Sequence, residues 1–166
     1  LSKPTIALAQ GRWLSRFLNA SDYDAAFSPA GAAQCAYLSI RQPLLYTSDA
    51  TFRLMQSLYR ESRQFLPLYR WEADRLEARA IRHADALLYP SEWAAESAVR
   101  DYGASRDEVF YLPFGANLKE EPPPGIAESR EAGPPWQMLF LGVDWERKGG
   151  AVAFETLTRL LGCGVD

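Results

Sequence analysis

Short unbroken apolar runs alternate along this chain with segments of helical spacing, and that rhythm predicts an α/β fold with a parallel sheet. Residues 23–28, 44–47, 87–90 and 109–112 read as strands, the last three being Leu44-Leu45-Tyr46-Thr47, Leu87-Leu88-Tyr89-Pro90 and Val109-Phe110-Tyr111-Leu112. Runs of this length without polar alternation suit strands covered on both faces. Residues 11–19 place Trp13, Leu14, Phe17 and Leu18 on one side and predict a short helix. Residues 31–39 are small and apolar, which fits a helix lying close to a sheet. Residues 52–65 and 68–86 read as two helices interrupted at Pro67. In the second, Leu76, Ala80, Ala84 and Leu87 form the apolar face, with Arg75, Glu77, Arg79 and Arg82 off it.

Local signals sharpen several boundaries. Ser91 before Glu92 is a good N-cap for a helix over 92–101, and Gly103 is its stop. Ser105-Arg106-Asp107-Glu108 has the form of a capping box ahead of the fourth strand. Residues 119–135 are rich in Glu, Pro and Gly, cannot build a core, and predict an extended linker. Beyond it, Met138-Leu139-Phe140-Leu141 predicts a fifth, buried strand. Gly142-Val143-Asp144-Trp145-Glu146-Arg147-Lys148-Gly149-Gly150 then leads into a helix carrying Val152, Leu157, Leu160 and Leu161.

Composition changes this picture little. Hydrophobic residues make up 48% of the 166 and charged residues 23%, as in an ordinary globular protein. The formal net charge of −3 provides no basic excess for a general nucleic-acid binder, though a local basic pocket remains compatible with it. Cys35 and Cys163 stand in unrelated contexts, so reduced thiols fit better than a disulfide or a zinc site. No run is long and apolar enough to span a bilayer. His83, the only histidine, falls near an apolar helix side and reads as structural.

The candidate chemistry concentrates in the turn at 142–150. A helix start presents unpaired N–H groups and a positive dipole end, which suit an anion. Arg147 and Lys148 add positive charge, Gly149 and Gly150 allow close backbone approach, and Gly142, which ends the apolar run, belongs to the same candidate site. The expectation is a phosphate or diphosphate site. A second candidate is Asp49, in the Ser48-Asp49-Ala50-Thr51 stretch beyond the second strand, because ligands of open α/β sheets bind past the carboxyl ends of strands. A helix cap or turn carboxylate would explain Asp49 equally well.

Two stretches carry a resemblance. "LFLGVDWERKGG" resembles the first strand and loop of the C-terminal domain of retaining GT-B glycosyltransferases of family 4. "ADALLYPSEWAAESAVRDYGASRDEVFYLPFGAN" resembles the end of the N-terminal domain of the same enzymes, in the same order along the chain. The likeness covers the chain from about Tyr23 onward. It implies a GT-B-like, Rossmann-like parallel-sheet domain followed by the first βα unit of a second Rossmann-like domain. The divisions expected are 1–118, a linker over 119–135, and 136–166.

The resemblance also implies a function: retaining transfer of a sugar from a nucleoside-diphosphate sugar to a hydroxyl on a glycan, lipid-linked or small-molecule acceptor. Lys148 matches the family lysine that contacts the donor diphosphate. The family often has Arg directly after the Gly, where this chain has Val143, and Arg147 is the nearest arginine. Ser91 and the loop holding Gly115 and Asn117 match positions at the interdomain cleft, with Asn117 where the family has Asp. Near the acceptor the family often carries a histidine, where this chain has Ser48-Asp49. No metal and no other cofactor is implied, and no nucleic-acid partner. A cytoplasmic location, with peripheral contact at the inner membrane face, is the expectation. The start at Leu1 and the stop at Asp166 fit a piece of a longer protein, inactive alone, whose family glutamate pair would follow Asp166. Two alternatives stay open: a non-catalytic α/β module that binds phosphate or a partner, and a sugar-nucleotide epimerase of the same architecture.

Overall fold

The computed structural model describes residues 4–59, 64–125 and 133–165. The chain divides into two units, residues 1–116 and 117–166.

In the first unit, four strands form one parallel sheet in the order β1-β2-β3-β4, with β1 at Ala26–Pro29, β2 at Leu44–Thr47, β3 at Ala86–Tyr89 and β4 at Val109–Tyr111. The register aligns Ser28 with Tyr46, Tyr46 with Leu87, and Leu87 with Val109. Partners across a parallel ladder share a face, so Leu44, Tyr46, Leu87 and Tyr89 point the same way, and all four are buried. They pack with Leu54, Ala80, Ile81, Ala94, Ala98 and Tyr102 into the core of the unit. Phe27, Leu45, Leu88 and Phe110 occupy the other face, where Phe27 and Phe110 are exposed.

The helices connect these strands. α1 (Pro4–Asn19) is longer than the predicted 11–19. Gly11 lies inside it because α1 crosses the chain at Tyr37 closely: a β-carbon at Gly11 would lie 2.8 Å from the Tyr37 carbonyl. α2 is a single turn, Ala32–Cys35, against the predicted 31–39, and β1 starts at Ala26 rather than 23. α3 (Phe52–Leu58) ends well before residue 65, and residues 60–63 of the predicted helix lie outside the described residues. Pro67 starts α4 (Pro67–His83) instead of kinking a longer helix, since the first turn is where its missing N–H and fixed φ fit. α4 stops at His83 and gives Ala86 to β3. α5 (Glu92–Tyr102) has the expected ends: Ser91 Oγ accepts the Ala94 N–H at 3.2 Å, and Gly103 turns left-handed at φ 72°. Ser105 makes no side-chain cap, and 106–108 form a 3₁₀ turn rather than the capped start that the sequence suggested.

The second unit contains α6 (Gly150–Gly162) and extended or turn segments. No strand forms over 138–141, contrary to the sequence expectation. Among the described residues of this unit there is no other strand to pair with, and a strand's backbone groups are satisfied only by a neighbour. Leu139 and Leu141 are 79% and 80% exposed. Among all described residues, no helix is long and apolar enough to cross a membrane.

Candidate functional site

Parallel register brings the carboxyl ends of all four strands of the first unit to one edge. Asp49 follows β2 there, Ser91 follows β3, and Gly115 follows β4, so the topology places three of the sequence-predicted residues along a common rim. Asp49 is exposed and accepts the Ala50 N–H at 3.0 Å, as a turn carboxylate. It is not the cap of α3. Thr51 is, with its hydroxyl accepting the Leu54 N–H at 3.4 Å and pairing with Ser97 Oγ at 2.7 Å. Ser91 is committed to its capping bond. Gly115 is exposed, and a β-carbon added there would meet nothing within 4 Å. Asn117, the first residue of the second unit, is exposed as well.

The rim also holds a residue that the sequence reading passed over. Ala30, just past β1, sits at φ 53°, a backbone region that non-glycine residues rarely adopt. It is fixed by its N–H to the Thr47 carbonyl at 2.7 Å. Next to it, a β-carbon on Gly31 would lie 2.4 Å from Ser28 Oγ. The available signal was the Pro29-Ala30-Gly31 turn at a strand end.

A buried polar network behind the rim was also missed. Glu77 was placed off the apolar face of α4, yet it is buried. It lies three, four and seven residues before Ala80, Ile81 and Ala84, all buried, so the helical spacing did carry the signal. The Tyr46 hydroxyl approaches its Oε1 at 3.5 Å. Burial, outweighing that hydrogen bond and reinforced by Asp74 and Asp49, pushes the Glu77 carboxyl up to about 7. The Tyr89 hydroxyl is buried with no hydrogen-bond partner among the described residues. Nearby, Arg53 holds Asp74 in a two-pronged pair, Nε to Oδ1 at 2.8 Å and a terminal nitrogen to Oδ2 at 2.9 Å. Tyr102 donates to the same Oδ1 at 2.9 Å. Burial alone would raise Asp74, but these donors prevail and hold it below the usual carboxylate range.

In the second unit the turn at 142–150 is tightly cross-braced. Asp144 Oδ1 accepts the Arg147 N–H at 3.1 Å, and its carbonyl accepts the Lys148 N–H at 3.0 Å. Gly150 donates to the Trp145 carbonyl at 2.7 Å. The Trp145 ring meets Phe140 edge-on at 5.2 Å and lies over Gly150, where a β-carbon would fall 2.2 Å from it. Gly149 caps α6 at φ 76°. These two glycines therefore have conformational and packing reasons to be glycine, apart from any ligand. Gly142 faces the Lys148 stem, which an added β-carbon would approach to 3.0 Å. Arg147 Nε lies 3.6 Å from Asp144 Oδ2, so part of its charge is offset. Lys148 is exposed, and no described salt bridge involves it. The turn can thus present one unneutralised ammonium beside the start of α6, with Arg147 a partly screened second cation.

His83 sits at the exposed end of α4. Burial and then Arg79 hold its imidazole below the ordinary range, against opposing hydrogen bonds to the Leu38 and Cys35 carbonyls. Cys35 and Cys163 are both free, the first buried and the second exposed. Among the described residues no group of three or more His, Cys, Asp and Glu side chains could hold a metal ion.

Residues 1–120 match the sequence model of the family described as Glycosyltransferase Family 4. No curated protein and no solved structure matches the chain.

Proposed function

The chain belongs to glycosyltransferase family 4, and on that premise we propose that it serves retaining transfer of a sugar from a nucleoside-diphosphate donor to a hydroxyl acceptor. The observation that carries this reading is the family match over a unit whose parallel sheet gathers its strand ends on one rim. In the reaction the bond from the sugar's anomeric carbon to the diphosphate breaks, leaving the electron pair on the phosphate oxygen. The acceptor oxygen forms the new bond on the same face and gives its proton to the departing diphosphate oxygen. What the protein must supply is chiefly charge stabilisation of the leaving group and positioning of the acceptor.

The braced turn of the second unit is suited to the first task. Lys148 supplies a cation free of described salt bridges, Arg147 a second one, and Gly142 and Gly149 shape the backbone around them. No metal or other cofactor enters this account. Asp49, exposed beyond β2, is the candidate for meeting the acceptor hydroxyl, whether that hydroxyl belongs to a glycan, a lipid-linked sugar or a small molecule. Ser91, Gly115 and Asn117 are further candidates for ligand contact. We place the protein on the cytoplasmic side, with peripheral membrane contact where the acceptor is lipid-linked.

The test is to incubate the protein, in its natural full-length context, with a panel of nucleoside-diphosphate sugars and hydroxyl acceptors. Nucleoside-diphosphate release and the anomeric configuration of the product are read. Release coupled to a product of unchanged configuration is expected. Release with inversion would overturn the stereochemical part of the proposal, and absence of release from every donor would overturn the proposal itself.

A further inference from the structure

A cavity of about 380 Å³ lies between α3 and the first half of α4, lined by Arg53, Gln56, Pro67, Arg70, Trp71 and Asp74. Pro67, Arg70, Trp71 and Asp74 recur at helical spacing, so α4 turns one stripe toward it. On such a stripe Arg70 and Asp74, four residues apart, would ordinarily pair. Here Asp74 is already taken. Arg53 occupies both of its oxygens, and Tyr102 adds a third hydrogen bond. Arg53 is in turn fully engaged: it also donates to the Asp101 carbonyl, and its guanidinium lies 4.6 Å from the centre of the Tyr102 ring.

Arg70 is therefore left without its natural acceptor. Its Nε is shielded from solvent and has no hydrogen-bond partner among the described residues. A guanidinium donor that is neither solvated nor paired is costly, and the guanidinium cannot shed its charge at physiological pH. Among the described residues of the wall, Arg53 and Asp74 pair and cancel, and Arg70 is left as the one unbalanced charge.

We propose that this cavity is an oxyanion site in which Arg70 grips a carboxylate or phosphate group, with Trp71 and Pro67 offering apolar surface to whatever bears it. The site lies wholly in the first unit, and its assignment does not depend on Lys148. A planar two-oxygen group fits the geometry of a guanidinium best. Two sources share that chemistry: a free small anion, or an acidic group carried by a sugar.

The experiment titrates the intact protein with inorganic phosphate and with acetate while the indole N–H resonance of Trp71, which lines the cavity, is followed by NMR, assigned through Trp71→Phe. Saturable movement of that resonance is expected. Affinity should fall about tenfold or more in Arg70→Gln and stay unchanged in Lys148→Ala. Should Arg70→Gln not fold, Arg70→Lys serves in its place, keeping the charge but losing the fork, with a partial loss expected. The proposal is overturned if neither anion moves the resonance, if the arginine variants bind as tightly as the parent, or if Lys148→Ala removes the effect. Repeating the titration with a hexose 6-phosphate and a hexuronate divides the sources. Tighter binding than the bare anions supports a sugar-borne group, and equal binding supports a free anion in the same site.

Discussion

Leu87 and Leu139 both stand in short apolar runs, and the molecule treats them oppositely. Leu87 is fully buried in β3, hydrogen-bonded between β2 and β4, with α4 and α5 contributing to the core around it. Leu139 is 79% exposed in a segment with no strand beside it among the described residues. The difference lies in what surrounds each run. A run of apolar residues becomes a strand where neighbours accept its N–H groups and cover its side chains, and not otherwise. The two units are thus stabilised differently. The first rests on a shared core, and the turn of the second on a few local braces around Asp144, Trp145 and Gly150.

The sharpest way to break that contrast is truncation on both sides. Leu87→Ala should cost about 2–5 kcal/mol, whereas Leu139→Ala should stay within about 0.5 kcal/mol. Denaturant unfolding of the two variants checks this, and equal losses would show that 138–141 is packed as tightly as β3.

A smaller effect is expected from Glu77, which tests whether the core of the first unit holds a carboxyl in its neutral form. Its folded value of about 7 lies above the ordinary 4.5. Stability from this group is then fully present below pH 4.5 and is lost as pH rises through about 7, because the unfolded chain releases the proton first. Glu77→Gln should stabilise the protein at pH 8 by up to roughly 3 kcal/mol and have little effect at pH 4. Thermal unfolding of both proteins at the two pH values gives the answer, and a pH-independent difference would contradict the burial argument.

Local signals were legible in the sequence wherever the physics is local. Ser91 and Gly103 bound α5 as their chemistry requires, and the four strands of the first unit lie close to where the apolar runs put them. What escaped depended on distant partners. Pro67 looked like a break because the end of α3 was not visible from spacing alone. Gly11 looked like a helix start, although the closeness of Tyr37 explains it. Glu77 looked solvated because charge outweighed position, although its spacing to Ala80, Ile81 and Ala84 already pointed inward. Arg53, Asp74 and Tyr102, successively 21 and 28 residues apart along the chain, meet only through tertiary packing. Of the candidate site, the residue types of the turn at 142–150 could be read directly, but not its internal bracing by Trp145 and Asp144.

The central claim is that this braced turn holds a diphosphate through Lys148. Calorimetric titration of the parent protein and Lys148→Ala with nucleoside diphosphates tests it most directly. Loss of one charge-assisted contact, about 1.5–3 kcal/mol, predicts that affinity falls at least tenfold in the variant. Unchanged affinity would contradict it and leave the turn a structural element only.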